Sequence, residues 1–395
     1  MGDEVKVFLI AGEPSGDALG AALMAGIKEL LDDVTFEGVG GPQMAAQGLR
    51  SLFAMDELSV MGLAEVLPKL RGLFKRRDET VAACLATKPD VLITIDSPDF
   101  CLRVARKVKA ARPDLKTVHY VAPTVWAWRP KRVERMRGVI DHVLALFPFE
   151  PPYMRAAEMS CDFVGHPIST ERVATDTEVA ELWAEMGLGD APTILVLPGS
   201  RKGEVSRLMD RFGDALRSVI TKRPDLQIVL PAAAPVAADV IEHARDWPGR
   251  PVILDPRGLP PDEAARRKRA AFRGANLALA ASGTVSLELA ASDTPMVIAY
   301  DMNWLSRQMM KRMLQIDTVT LVNLVSETRA VPEYLGDACQ PAAISSAILD
   351  LMENMPARDA QLAAFDVTMN ALGRGAEAPG LRAARSVLKA LGKTG

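Results

Sequence analysis

The chain is short of cysteine, aromatic residues, net charge and long apolar runs. Its four cysteines, Cys84, Cys101, Cys161 and Cys339, show no CxxC spacing. That argues against a disulfide framework or a zinc ribbon and reads as buried thiols in a reducing compartment. The four histidines are scattered, with no HxxxH or HExxH pair, so neither a protein-built metal site nor a cofactor is expected. A net charge of −3, from 47 basic and 50 acidic residues, gives no global reason to bind nucleic acid. No apolar stretch approaches the roughly 20 residues that span a bilayer. The apolar run at 5–10 is too short for a secretory signal and leads straight into Gly12, so a cytoplasmic protein is expected.

What the chain does have is glycine and proline at the ends of short apolar runs. Residues 192–205, PTILVLPGSRKGEV, read as a strand, a tight turn and the start of a helix. Val205, Leu208, Phe212, Leu216 and Val219 recur at helical spacing, while Glu204, Arg207, Arg211, Asp214 and Arg217 take the other face. A buried strand that delivers Gly199 and Ser200 to a helix N-terminus offers free N–H groups and a helix dipole to an anion, and Arg201 adds a forked cation. An ordinary βα turn is the alternative.

The N-terminus repeats this plan. A strand at 5–10 is followed by AGEPSGD (11–17) and a helix with Leu19, Leu23, Ile27, Leu30 and Leu31 on one face. Two such openings, almost half a chain apart in 395 residues, predict an α/β protein with two Rossmann-like doubly wound parallel-sheet domains. Further strands are expected at 34–39, 91–95, 117–121, 143–147 and 163–164, and then at 193–197, 226–230, 251–254, 277–281 and 296–300. The domains are expected at 1–168 and 177–345, with helices of 346–395 packing at their junction.

Within the second domain, ASGTVSLE (281–288) is another strand, turn and helix start. Ser282, Gly283 and Thr284 allow close backbone approach to a ligand, and Glu288 is suited to ribose hydroxyls, although a helix cap by Ser282 or Thr284 is the plainer reading. In the first domain Asp96 directly follows the buried strand 91–95, where open sheets bind ligands and a carboxylate can serve as general base. Its alternative is a cap for the next helix, a role that fits Asp99 better.

Residues 60–77 mix Val66, Leu67, Leu70, Leu73 and Phe74 with Arg71, Lys75 and Arg76. Such a stretch is either a core helix with a solvated face or a surface that docks on an anionic membrane. Residues 103–137 add eleven Lys and Arg against Asp114 and Glu134 alone, which suits a phosphate or an anionic leaflet.

With these residues in view, the chain resembles the lipid-A-disaccharide synthase family over nearly its whole length. The resemblance is carried by AGEPSGD (11–17), GVGGPQM (38–44), LSVMGLAEVL (58–67), IDSPDF (95–100), VAPTVWAWRPKRV (121–133), FVGHP (163–167), LPGSRKGEV (197–205), ASGTVSLE (281–288) and LVNL (321–324). Pro14 and Pro123 stand where the family more often has small residues. The resemblance implies the two-Rossmann glycosyltransferase-B fold and an inverting, metal-free transfer. In it, UDP-2,3-diacylglucosamine is the donor and the 6-hydroxyl of 2,3-diacylglucosamine 1-phosphate the acceptor. It further implies Asp96 as the base and Asn323 at the donor, with Glu13 and Ser15 on the acceptor side of the cleft. Trp126 and Trp128 are either core or lining of the lipid path. Attachment to the cytoplasmic face of the inner membrane follows from the acylated substrates, and a homodimer stays open. Another UDP-N-acetylglucosamine-type transferase, or an epimerase of the same fold, is the alternative. A two-lobed solute-binding protein would have no need of two anion turns in one lobe.

Overall fold

The computed structural model describes residues 4–58, 63–124, 131–302 and 316–393; the side chains of 63–70, 131 and 132 lie outside that description. Trp126, Trp128 and the side chains of Val66, Leu67 and Leu70 therefore fall outside the described residues. The chain divides into two units, Met1–Thr170 with Leu372–Gly395, and Glu171–Ala371.

The first unit is built on β1 (Val5–Ala11), β2 (Val34–Val39), β3 (Arg50–Ser51), β4 (Val91–Ile95), β5 (Lys116–Tyr120), β6 (His142–Ala145) and β7 (Ser160–Phe163). They form one seven-stranded sheet in the order β3-β2-β1-β4-β5-β6-β7, and every pair is parallel. The second unit has β8 (Thr193–Leu197), β9 (Gln227–Pro231), β10 (Val252–Leu254), β11 (Leu277–Ala280), β12 (Met296–Tyr300) and β13 (Glu333–Leu335). These pair in the order β10-β9-β8-β11-β12-β13, again all parallel. The central strands β4, β8 and β11 are buried at every residue, as helices on both faces require. In each sheet the strand order reverses once, between β1 and β4 and between β8 and β11. A doubly wound sheet opens a ligand crevice at such a point, beyond the carboxyl ends of its strands. All four turns singled out in the sequence leave these four strands.

The C-terminal helices, expected over 346–395 at the domain junction, divide between the two units. The helices Pro341–Glu353 and Met355–Ala371 belong to the second unit, while Pro379–Ala390 belongs to the first. The physical reason is the face of that last helix. Ala383, Ala384, Val387 and Leu388 are buried and it packs on the helix Pro14–Leu30. Its polar residues complete the fit: Arg382 Nη2 donates to the Phe163 carbonyl at 2.9 Å. Ser386 Oγ donates to Asp162 at 2.9 Å and meets His142 Nε2 at 2.7 Å.

Two histidines of the first unit, buried His142 and half-buried His166, are expected to make it acid-sensitive. Burial holds His166 down at about 4 from its ordinary 6.5, and its Nδ1 accepts the Ile168 N–H at 3.1 Å, so a proton there would face a donor. His142 is lowered too, mainly by burial and further by Lys116 and Lys389, against the pull of Asp162. A histidine depressed on folding contributes stability above its unfolded value, lost as pH falls through the window down to its folded value. The window for His166 is thus pH 6.5 to about 4. Denaturant unfolding should show a loss of about 2 kcal/mol across it, less than the full linkage value because the ring keeps some solvent contact. His166→Gln should flatten the slope; an unchanged slope would assign the effect elsewhere.

Candidate active site

The second unit contains a cavity of about 720 Å³ at the carboxyl edge of its sheet, lined by the ends of β8, β9, β10 and β11. Gly199, Ser200, Arg201, Ser282, Gly283, Thr284 and Glu288 all line it. Two turns far apart in sequence meet because β8 and β11 are neighbours, Leu197 lying opposite Ala280. The volume suits a drug-sized or nucleotide-sized ligand.

The turn after β8 differs from its sequence reading in one respect. Helical spacing puts Glu204 on the solvent face of the helix Lys202–Lys222, yet it is 8% exposed. Its carboxylate accepts the N–H groups of Ser200 at 3.1 Å and Arg201 at 3.3 Å and pairs with Arg201 Nη1 at 3.1 Å. The turn's amides are thus already occupied by an internal anion, because a carboxylate in the first helical turn is drawn to unsatisfied N–H groups and the helix dipole. Gly199 permits this: its φ is +111° and an added Cβ would lie 2.5 Å from Glu204 Oε2. Arg201 keeps 62% of its side chain exposed, so its fork remains available to a ligand. Tyr300 stands nearby, its phenol pushed up by burial and by the Glu204 charge.

The turn after β11 is the open one. Thr284 begins the helix Val285–Ala291 without a side-chain cap, and Ser286 Oγ turns back to the Gly283 carbonyl at 3.0 Å. A Cβ added at Gly283 would meet nothing within 4 Å. The amides of Ser282, Gly283 and Thr284 donate to no backbone carbonyl among the described residues. They therefore present donors to a phosphate with little steric hindrance.

Lys268, which no sequence motif marks, forms an ion pair with Glu288 and lies 5.2 Å from the Phe272 ring centroid. Glu171 is near the pair; burial and the Glu288 charge push its carboxyl up, while Lys268 and Arg269 act against them. Ala232, Ala233 and Leu254, at the ends of β9 and β10, make the end of the cavity away from β11 apolar. The charged groups on the wall are balanced: Arg201, Arg267 and Lys268 against Glu204, Asp255 and Glu288. An entering diphosphate must therefore exchange cations with carboxylates as well as use the amides. The signal for this end of the cavity was present in the strands 226–230 and 251–254, whose carboxyl ends had to open at the same edge as β8.

Asn323 does not line the cavity. It is 1% exposed; its Nδ2 donates to the Val331 carbonyl at 2.8 Å and to Thr318 Oγ1 at 3.3 Å, and its Oδ1 accepts the Val331 N–H at 3.0 Å. With its amide used at both ends, it fastens the chain around 318–331. Asn323→Ala should cost roughly 2–3 kcal/mol by leaving Val331 unpaired, with UDP affinity of the folded protein within about threefold. Parallel denaturation and calorimetry would check this, and a large loss of affinity at unchanged stability would return Asn323 to the donor site.

In the first unit Asp96 neighbours Glu13, in the turn after β1, and Ser15, in the first turn of the helix Pro14–Leu30, since β1 and β4 pair with Ala11 opposite Ile95. Asp96 is half-buried and its N–H donates to the Tyr120 carbonyl at 3.0 Å. The Cys101 thiol beneath it is pushed up chiefly by burial and then by the Asp96 charge. Glu13 precedes the helix Pro14–Leu30 and Ser15 is exposed. Asp17, the last residue of AGEPSGD, is structural: it is 1% exposed and accepts the N–H groups of Gly41, Gln43 and Met44 at 2.8–3.0 Å.

On the helix Leu63–Thr87, Arg71 and Lys75 are exposed, Leu73 is half-buried and Phe74 is 41% exposed. Arg76 is different. It pairs with Glu57 and Glu79, both at 2.7 Å, and lies 4.5 Å from the Phe53 ring centroid. Its charge is therefore committed within the fold and withdrawn from any surface role. No helix among the described residues is long and apolar enough to cross a membrane.

The sequence profile described as lipid-A-disaccharide synthetase matches residues 7–374. A lipid-A-disaccharide synthase of Ruegeria pomeroyi is 60% identical over 387 residues, covering 98% of this chain and 96% of that protein. One from Rhodospirillum centenum is 43% identical over 389 residues, covering 98% and 95%. Among solved structures, a UDP-GlcNAc 2-epimerase from Neisseria meningitidis bound to UDP-GlcNAc aligns with a TM-score of 0.60 at 12% identity, over 93% of this chain and 96% of that one. This last likeness concerns the fold, the glycosyltransferase-B arrangement of two parallel-sheet α/β units.

Proposed function

The chain belongs to the lipid-A-disaccharide synthetase family, and from that premise we infer that it is the glycosyltransferase forming the lipid A disaccharide. The 6-hydroxyl of 2,3-diacylglucosamine 1-phosphate attacks the anomeric carbon of UDP-2,3-diacylglucosamine. The bond to the UDP oxygen breaks with inversion, and UDP and the β-1,6-linked disaccharide 1-phosphate are released. The observation that carries the donor half is the convergence of both glycine turns on one 720 Å³ cavity.

Its residues divide the work. Arg201 and the Ser282, Gly283 and Thr284 amides take the diphosphate and neutralise charge developing on the leaving oxygen. Glu288, held by Lys268, accepts ribose hydroxyls, and the apolar end receives the base. Asp96, in the first unit, takes the proton of the attacking hydroxyl; inversion needs one such base and no covalent carboxylate. Glu13 and Ser15 serve the acceptor. Binding of UDP by calorimetry tests the donor site: Ser282→Pro, which removes an amide donor, should weaken it, and wild-type affinity would count against the assignment.

The acylated substrates require contact with a membrane surface, on this reading the cytoplasmic leaflet. Arg71, Phe74 and Lys75 are exposed on one helix and support that contact, each cation contributing about 1 kcal/mol near an anionic leaflet. Phe74→Ser with Arg71→Ser should lower co-sedimentation with anionic vesicles by about tenfold at unchanged melting temperature. Undiminished co-sedimentation would exclude this face.

A further inference from the structure

Among the described residues eight non-glycine positions have positive φ. Lys88, Glu158, Asp293 and Glu327 follow within two residues the ends of helices, where left-handed backbone is ordinary, and Arg250 lies in the turn before β10. Asp96, Ser97 and Val121 are different. Asp96 (φ +50°) and Ser97 (φ +40°) leave β4 in succession, and Val121 (φ +81°) leaves the adjoining β5. A β-branched residue in this region is an outlier, and two consecutive left-handed residues with side chains are seldom tolerated. The conformation is pinned by its neighbours. Asp96 N–H donates to the Tyr120 carbonyl at 3.0 Å, Val121 N–H donates to the Leu144 carbonyl at 3.0 Å, and the Ser97 carbonyl accepts the N–H groups of Phe100 and Cys101 at 3.2 and 3.1 Å.

The Ser97 side chain, displaced by this backbone, packs directly on Gly12. A Cβ at residue 12 would lie 2.7 Å from Ser97 Oγ and 3.1 Å from Ser97 Cβ. Ser97 Oγ can turn away about χ1, but Ser97 Cβ is fixed to the main chain, so the backbone at 97 would have to give by a few tenths of an ångström. Strain held at the end of a buried central strand marks a place where the surrounding fold over-determines one residue's direction.

We propose that Gly12 is a positioning residue for Asp96: the absent side chain at 12 leaves room for the left-handed turn at Ser97, and that turn sets the direction of the base. This rests on reading Asp96 as the base. Displacing a base by even an ångström costs turnover far more than binding.

The test is a kcat and KM series with the acylated donor and acceptor, alongside UDP calorimetry and melting. Gly12→Ala should lower kcat by roughly ten- to a hundredfold with donor KM and UDP affinity within about twofold. The double variant Gly12→Ala/Ser97→Gly should recover most of the loss, since glycine at 97 frees the space and accepts positive φ. Ser97→Asn, which tolerates positive φ but sets a bulkier side chain against Gly12, should reproduce the kcat loss and covers the case of a Gly12→Ala protein that does not fold. Wild-type kcat in Gly12→Ala or Ser97→Asn, or a loss that the added Ser97→Gly change does not relieve, would overturn the proposal. Asp96→Asn separates the two layers. If it is inactive while Gly12→Ala is normal, only the positioning role falls; if it is fully active, the base reading falls first.

Discussion

Asp96→Asn should leave the fold and UDP affinity intact and lower turnover by roughly 10²–10⁴, the range for loss of a general base. The residue leaves a strand buried at every position, at the reversal point of the first sheet, where ligands of doubly wound sheets bind. Its backbone is held by Tyr120 and by the Gly12–Ser97 contact. Asn keeps the size and one acceptor oxygen but has no basic carboxylate, so the change chiefly removes proton transfer. Asp99, in the first turn of the helix Pro98–Ala111, sits where a carboxylate complements the helix dipole, and Asp99→Asn should cost turnover little and stability about 0.5 kcal/mol. Equal activity in the two variants, or a larger loss at Asp99, would reassign the base.

Arg201→Ala should weaken UDP binding and catalysis together, by about 1.5–3 kcal/mol, or roughly ten- to 150-fold. The guanidinium is mostly exposed at the mouth of the cavity and shares Glu204 with the turn's amides. Its removal takes away the cation that a diphosphate would draw from Glu204 and leaves that buried carboxylate facing the ligand. The same change should hardly move stability, because Glu204 keeps two amide donors. Calorimetry giving wild-type UDP affinity would remove Arg201 from the donor site.

Much of this was legible because parallel strands buried on both faces write themselves as uninterrupted apolar runs. Residues 91–95, 193–197 and 296–300 are strands at those bounds. The buried face of the helix Lys202–Lys222 includes Val205, Leu208, Phe212, Leu216 and Val219, as its periodicity required. What failed to show was set by local capture of polar groups. Glu204 sits at a solvent-facing helical position, yet free amides one turn back hold it inside. Arg76 looks like one more surface cation until Glu57, nineteen residues away, closes on it. Asn323 sits in a motif, and only the fold shows that Val331 occupies it. The pairing of Lys268 with Glu288 joins two helices, and no spacing rule connects them. Nor could composition separate the last helix from the two before it; that depended on which partner its Ala383–Leu388 face would cover.

The most direct measurement is a reaction of the purified protein with UDP-2,3-diacylglucosamine and 2,3-diacylglucosamine 1-phosphate, following UDP and the lipid product together. The expected result is UDP and disaccharide 1-phosphate in equal amounts, a β-1,6 linkage at the transferred sugar, and neither product without the acceptor. UDP release without a disaccharide, or conversion of UDP-N-acetylglucosamine to its 2-epimer in place of transfer, would contradict it.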